Sequence, residues 1–227
     1  MQLKRNKSLI ISYMQLRSLI GIFGIILPLI CIADSIFLEK IAINESISIY
    51  YYYNIRDIFV GVMLCASSFF ITYKGYDCLD SIITTITGVG GFVLALFPCE
   101  NQLINSPVGF LLLKSETSNY FHVGGAFLFF VSLAITSLFL FTKSKDKVPR
   151  GVRKYYRNII YRTTGIIIII SLVLLIIIFA VIDDSKIKKS KTILILEIIM
   201  LFSYGISWLI KGGTLLKDKS QLTTAST

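Results

Sequence analysis

Twenty consecutive residues from Thr163 to Ile182, nearly all isoleucine, leucine and valine, carry no charge. A helix of that length is about 30 Å long, the thickness of a bilayer's hydrocarbon core. Five further apolar runs share this character, at about 18–38, 55–73, 81–97, 120–142 and 192–210. Hydrophobic residues make up 55% of the 227-residue chain and charged residues 16%, too little polar surface to cover so many apolar runs in water. The expected fold is all-α: a polytopic membrane helix bundle with six transmembrane spans, forming a single membrane domain over residues 1–227.

The net charge of +10 could suggest nucleic acid, but the cations fall in blocks between the apolar runs rather than along one amphipathic face. They read as topology signals, and no nucleic-acid partner is expected. With both termini inside, sixteen lysines and arginines lie on the cytoplasmic side and six on the other, Arg56 left aside. Both termini are therefore expected in the cytoplasm, in the cell (inner) membrane. The first run has spanning length and no small-residue cleavage site behind it, so it reads as an uncleaved span. Cys31, Cys65, Cys78 and Cys99 show no disulfide or zinc spacing, and no metal or cofactor is expected.

The stretch from Ser46 to Gly61 holds two serines, four consecutive tyrosines and the adjacent pair Arg56 and Asp57 at the mouth of the second run. Asn54 is placed to cap that helix, with Asp57 in its first turn. The six-span topology brings this mouth to the same outer face as Glu100, His122 and Glu197. Glu197 lies five residues into the last run, and a carboxylate at that depth needs partners. Arg56 and His122 are the expected ones, in a shared outward-facing pocket roofed by Tyr50 to Tyr53. The ligand-pocket candidates are Ser48, Tyr52, Arg56, Asp57, Glu100, His122 and Glu197. Leu201, Tyr204 and Trp208 follow Glu197 at helical spacing, so that face is expected to point inward. In the third run Thr84, Thr87, Gly88, Gly90 and Gly91 invite a neighbouring helix to approach closely.

The basic block from Lys143 to Arg162 is expected to lie against the inner leaflet, with Lys143, Lys145, Lys147, Arg150 and Arg153 as candidates for anionic lipid headgroups. The lipid bilayer itself is the expected partner.

By layout, nearly the whole chain resembles a superfamily of small six-span membrane proteins. It includes the damage-regulated autophagy modulators, the lipid-remodelling factors that act on GPI anchors, and bacterial uncharacterised membrane proteins, to which the strings SISIYYYYNIRDIFVG, ITYKGYD, ALFP and ISWLIKG are most similar. Ser48 to Val60, His122 to Phe130, and Glu197 with Tyr204, Ser207 and Trp208 carry the likeness. The resemblance implies lipid handling by analogy. The leading expectation is a non-enzymatic membrane protein that binds a lipid or small amphiphile between helices. An intramembrane lipid hydrolase or transferase is the alternative, although Ser46 and Ser48 lack the flanking elbow of a serine nucleophile. A pore or transporter is the second alternative.

Overall fold

An apolar run beside lipid can satisfy its peptide groups only within itself, and this chain does so by winding into helices. The structure, a computed structural model, describes residues 7–143, 152–182 and 190–216, with side chains from Tyr13 onward and, in the fifth helix, from Arg153 onward. Among the described residues there are six α-helices: α1 (Lys7–Ala33), α2 (Arg56–Thr72), α3 (Cys78–Leu96), α4 (Ser115–Ile135), α5 (Val152–Val181) and α6 (Thr192–Lys211). The first and fourth run on as π-helical turns, Asp34–Glu39 and Thr136–Leu140. Lys40, at φ 53°, ends the first by turning left-handed.

Five helices are long and apolar enough to cross a membrane: α1, α3, α4, α5 and α6. With 17 residues, α2 is about 25 Å long and falls short of the hydrocarbon thickness by itself.

Several helix ends differ from the sequence expectation. Asn54 does not cap α2; the Arg56 amide bonds to the Tyr53 carbonyl in a preceding turn, and Ile55 becomes the flanking residue. For α3 the cap is Asp77, whose Oδ1 accepts from the Asp80 amide at 3.0 Å. The fifth helix begins eleven residues before the apolar run, so Arg153, Lys154, Arg157 and Arg162 stand on a helix rather than in a loop. Arginine and lysine are good helix formers, and hydropathy marks where lipid begins, not where helix begins.

Each helix packs on the next, and α6 closes the ring against α1. Several of these contacts need glycine. A Cβ on Gly21 would sit 2.7 Å from the Gly205 carbonyl of α6, and one on Gly90 would sit 2.9 Å from the Gly125 carbonyl of α4. Backbones therefore meet at these crossings, and at α3 the small residues of the third run lead one to expect it. Leu201, Tyr204 and Trp208 are buried, so that face of α6 does point inward. The Trp208 ring lies 5.0–5.8 Å from those of Phe69, Phe70, Tyr73 and Phe141. Beside it, the Ser207 hydroxyl joins Ser137 at 2.9 Å and Thr164 at 2.6 Å, tying α6 to the end of α4 and to α5. The outer face of α5, including Ile166, Ile170, Ile176 and Ile177, is exposed, as befits a helix at the lipid-facing rim.

One end of the bundle carries the 40–55 loop and the starts of α2, α4 and α6; it is called the Ser48 end below. At the opposite end Lys143 Nζ bridges Asp77 Oδ2 at 2.8 Å and Asp80 Oδ1 at 2.6 Å. The second oxygen of Asp80 accepts from the Tyr76 amide at 2.8 Å, so this buried carboxylate is fully engaged. The hydrogen bond from Lys143 holds Asp77 below the usual carboxylate range, and the same bond to Asp77, joined by Asp80, raises Lys143 above the ordinary lysine value.

Candidate functional site

The local sequence Ser46-Ile47-Ser48 explains how Glu197 is satisfied. Ile47 buries its side chain in the core, while its N–H and the two flanking hydroxyls meet α6. Glu197, half-buried in the second turn of that helix, receives all three. Its Oε2 accepts from the Ile47 amide at 2.5 Å, and Oε1 accepts from Ser46 Oγ at 3.0 Å and faces Ser48 Oγ at 3.3 Å. Ser46 Oγ also accepts from the Ser48 amide at 3.0 Å, so the loop is braced internally. A backbone bond from Leu194 N–H to the Glu45 carbonyl, at 2.9 Å, fixes the loop to the start of α6.

Ser48 has a second neighbour. His122, buried in α4, places Nε2 3.0 Å from Ser48 Oγ and Nδ1 2.8 Å from the Phe97 carbonyl oxygen. A carbonyl can only accept, so Nδ1 carries a hydrogen and the neutral ring offers Nε2 as an acceptor. Ser48 thus stands between an imidazole nitrogen and a carboxylate oxygen with one hydroxyl proton for both. The hydroxyl proton can point to His122 Nε2 or to Glu197 Oε1, and in the first case the Ile47 amide and the Ser46 hydroxyl still serve the carboxylate.

Direct contact of Glu197 with His122, or with Arg56, is not what the structure shows. Ser48 mediates the first, and the second is absent. Arg56 faces out of the bundle, donates from Nη2 to the Tyr51 hydroxyl at 2.8 Å, and lies 4.5 Å over that ring. The physical reason is desolvation: neutral donors already complete the Glu197 carboxylate, whereas bringing a guanidinium beside it would bury a second charge.

Arg56 and Asp57 instead edge a separate groove of about 400 Å³ between α2 and α3, lined by Tyr51, Val60, Gly61, Leu64, Ala95, Leu96 and Phe110. A smaller cavity, about 30 Å³, lies beneath Ser48 and Glu197 among Phe59, Met63, Leu94, Phe129 and Phe130. The same two helices, α2 and α3, line both.

The four tyrosines do not form a roof. Tyr50 is fully buried with its hydroxyl 2.6 Å from Ser35, and Tyr51 is buried beneath Arg56. Tyr53 donates to Asn44 Oδ1 at 2.9 Å. Tyr52 donates to the Cys99 carbonyl at 2.6 Å, and its partial burial pushes the phenol up to about 12. Tyr50, Tyr51 and Tyr52 tie the loop to the end of α1, the start of α2 and the segment after α3, and Tyr53 braces it within itself, which is how an otherwise irregular segment keeps Ser46 to Ser48 in register with α6.

Glu100 is exposed, its backbone amide donating to Asn119 Oδ1, and its side chain is not part of the cluster. Of the headgroup candidates, Lys143 is committed to Asp77 and Asp80, and Arg153 stands in the first turn of α5. Lys145, Lys147 and Arg150 lie outside the described residues. Among the described residues no three histidine, cysteine or acidic side chains converge as metal ligands. All four cysteines are free, and burial raises the Cys99 thiol above its ordinary value. Ser46 was not singled out as a site residue from the sequence, and only its adjacency to Ser48 in a loop that had to face Glu197 could have signalled it.

Comparison with known protein families, curated proteins and solved structures gives no match to this chain.

Proposed function

We propose that this is a six-pass protein of the cell membrane, both termini cytoplasmic, that binds a lipid or small amphiphile at its outward-facing end. The observation that carries the reading is the groove between α2 and α3. The guanidinium of Arg56 and the carboxylate of Asp57 stand at its lip, small and apolar residues line its walls, and its volume of about 400 Å³ accommodates a substantial part of an alkyl chain. Such a surface matches a molecule with an anionic or zwitterionic head and a hydrocarbon tail. The short α2 crosses in company: the turns on either side of it, and its packing on α3, let a slightly thinner bilayer or flanking side chains make up the length. The basic first turns of α5 support the cytoplasmic assignment of that end and a contact with anionic inner-leaflet lipids. Likeness in layout to the six-span lipid-handling superfamily agrees with this reading.

Gly61 provides the test. A Cβ there meets nothing within 4 Å, so a larger side chain fills the groove without disturbing the fold. Native mass spectrometry of the full chain titrated with lysophosphatidylglycerol should show binding that Gly61→Phe and Arg56→Met each weaken about tenfold, near 1.4 kcal/mol. Unchanged occupancy in both variants would exclude the groove. Cysteines introduced in 101–117 should react with impermeant maleimide in intact cells, and those in 143–157 should not; the reverse would overturn the orientation.

A further inference from the structure

We propose that Ser48 is a nucleophile and His122 its general base, forming an acyl-transfer centre that cleaves ester-linked amphiphiles. The argument begins with a conjunction of three atoms. An activated serine needs an unprotonated nitrogen within hydrogen-bonding reach and a third group that fixes the tautomer and plane of the ring. Ser48 Oγ lies 3.0 Å from His122 Nε2, and the Phe97 carbonyl holds Nδ1–H at 2.8 Å. That carbonyl follows the C-terminal end of α3 and is presented to α4 by the turn into Pro98, so the ring is oriented from a rigid element. His122 is buried while Ser48 remains half-buried at the 30 Å³ cavity, so the base is shielded and the hydroxyl is the more accessible group.

The surroundings select the electrophile. Glu197 Oε1 sits 3.3 Å from the hydroxyl, and a carboxylate there opposes an incoming phosphate dianion but not a neutral ester carbonyl. The apolar floor of the cavity, Phe59, Met63, Leu94, Phe129 and Phe130, favours a hydrocarbon beside the reacting group. The substrate class is therefore a fatty acyl ester, an identification that rests on the amphiphile reading above.

The steps balance with water as the second substrate. Ser48 Oγ attacks the ester carbonyl carbon as its proton passes to His122 Nε2. The carbon–oxygen bond to the leaving alcohol breaks, and that oxygen takes the proton from Nε2, leaving acyl-Ser48 and a lyso product. Water then attacks the acyl carbon and gives a proton to Nε2; the bond to Oγ breaks, Oγ recovers the proton, and a fatty acid leaves. Glu197 holds the 46–48 loop through Ser46 and the Ile47 amide and thereby positions Ser48.

A fluorophosphonate bearing a fluorophore tests the nucleophile directly and needs no lipid in the groove. Full-length protein in mild detergent should be labelled, with peptide mass spectrometry placing the adduct on Ser48. His122→Gln should slow labelling about a hundredfold. Ser48→Ala should abolish it, and Ser68→Ala, a change at an exposed hydroxyl of α2, should leave it intact. Thermal unfolding followed by the single tryptophan, Trp208, verifies that each variant is folded. Absence of an adduct on Ser48 in folded wild-type protein, or labelling that persists in Ser48→Ala or is unchanged in folded His122→Gln, overturns the proposal. Because Gly61→Phe blocks the groove and not Ser48, loss of lysophosphatidylglycerol binding with retained labelling confirms both readings separately. Labelling of Ser48 in a protein that binds no amphiphile supports the nucleophile and removes only the substrate class.

Discussion

The two ends of the bundle solve one problem, a carboxylate drawn in among the helices, in opposite ways. At one end Glu197 is met by two hydroxyls and an amide, with no cation in contact. At the other, buried Asp80 and exposed Asp77 share the ammonium of Lys143. The difference follows depth. Lys143 stands beyond the end of α4 and keeps part of its side chain in contact with solvent, so pairing costs little desolvation. Glu197 lies within a span, where a matching cation would have to be stripped of water as well. Dipoles belonging to a loop already present offset the charge without adding another.

Glu197→Ala should break the first arrangement most severely. It strands the Ile47 amide and the Ser46 hydroxyl, at a cost of about 2–4 kcal/mol, read as a lower midpoint of thermal unfolding. Next in size is Lys143→Met, which leaves Asp80 unpaired at the opposite end. Partial exposure moderates the loss to about 1–2 kcal/mol. Added salt should weaken the wild-type contact at the Lys143 end and leave the hydrogen-bonded Ser48 end unaffected, which sharpens the contrast. Ser46→Ala removes one of three donors and should cost about 1 kcal/mol. Equal salt sensitivity in unfolding of Lys143→Met and wild type would show that the ion pair contributes nothing.

The smallest effect is that of pH on the Lys143 end. Asp77 is depressed below its unfolded value of 3.8, so its contribution is complete above that value and fades as pH falls through the lower folded value. Lys143 is raised above 10.5, so its share is complete below that value and is lost as pH climbs through the higher folded one. Stability from this contact should therefore be flat across neutral pH and drop at both extremes. Asp77→Asn, which keeps a side-chain oxygen for the α3 cap, should remove most of the acid limb and shrink the alkaline one, since Asp77 is the first of the two carboxylates that raise Lys143.

Particular residues show how far the sequence reaches. Glu197 was legible as a residue in need of partners, since one carboxylate inside an apolar run is conspicuous. His122 and Ser48 were legible as candidates on the same side. Their arrangement was not, because Ser46 and Ser48 lie about 150 positions from Glu197 and their meeting depends on how a loop with no periodicity folds back over α6. Arg56 misled for a related reason. Charge complementarity pointed it at Glu197, while the turn at Tyr53 to Arg56 sets the rotation of α2 and aims the guanidinium outward.

What the sequence by itself determined is the helical, membrane-compatible character of the chain, the close approach of a neighbouring helix to the small residues of α3, and the inward face of α6 through Trp208. These follow from length, composition and the 3.6-residue period, which act locally. Tertiary structure alone decided that α2 spans only 17 residues, that the tyrosines anchor a loop in several directions, and that Ser48 joins Glu197 to His122. Those outcomes depend on rotations about helix axes and on loop closure, and a difference of one hydrogen bond, about 1 kcal/mol, is enough to choose between them.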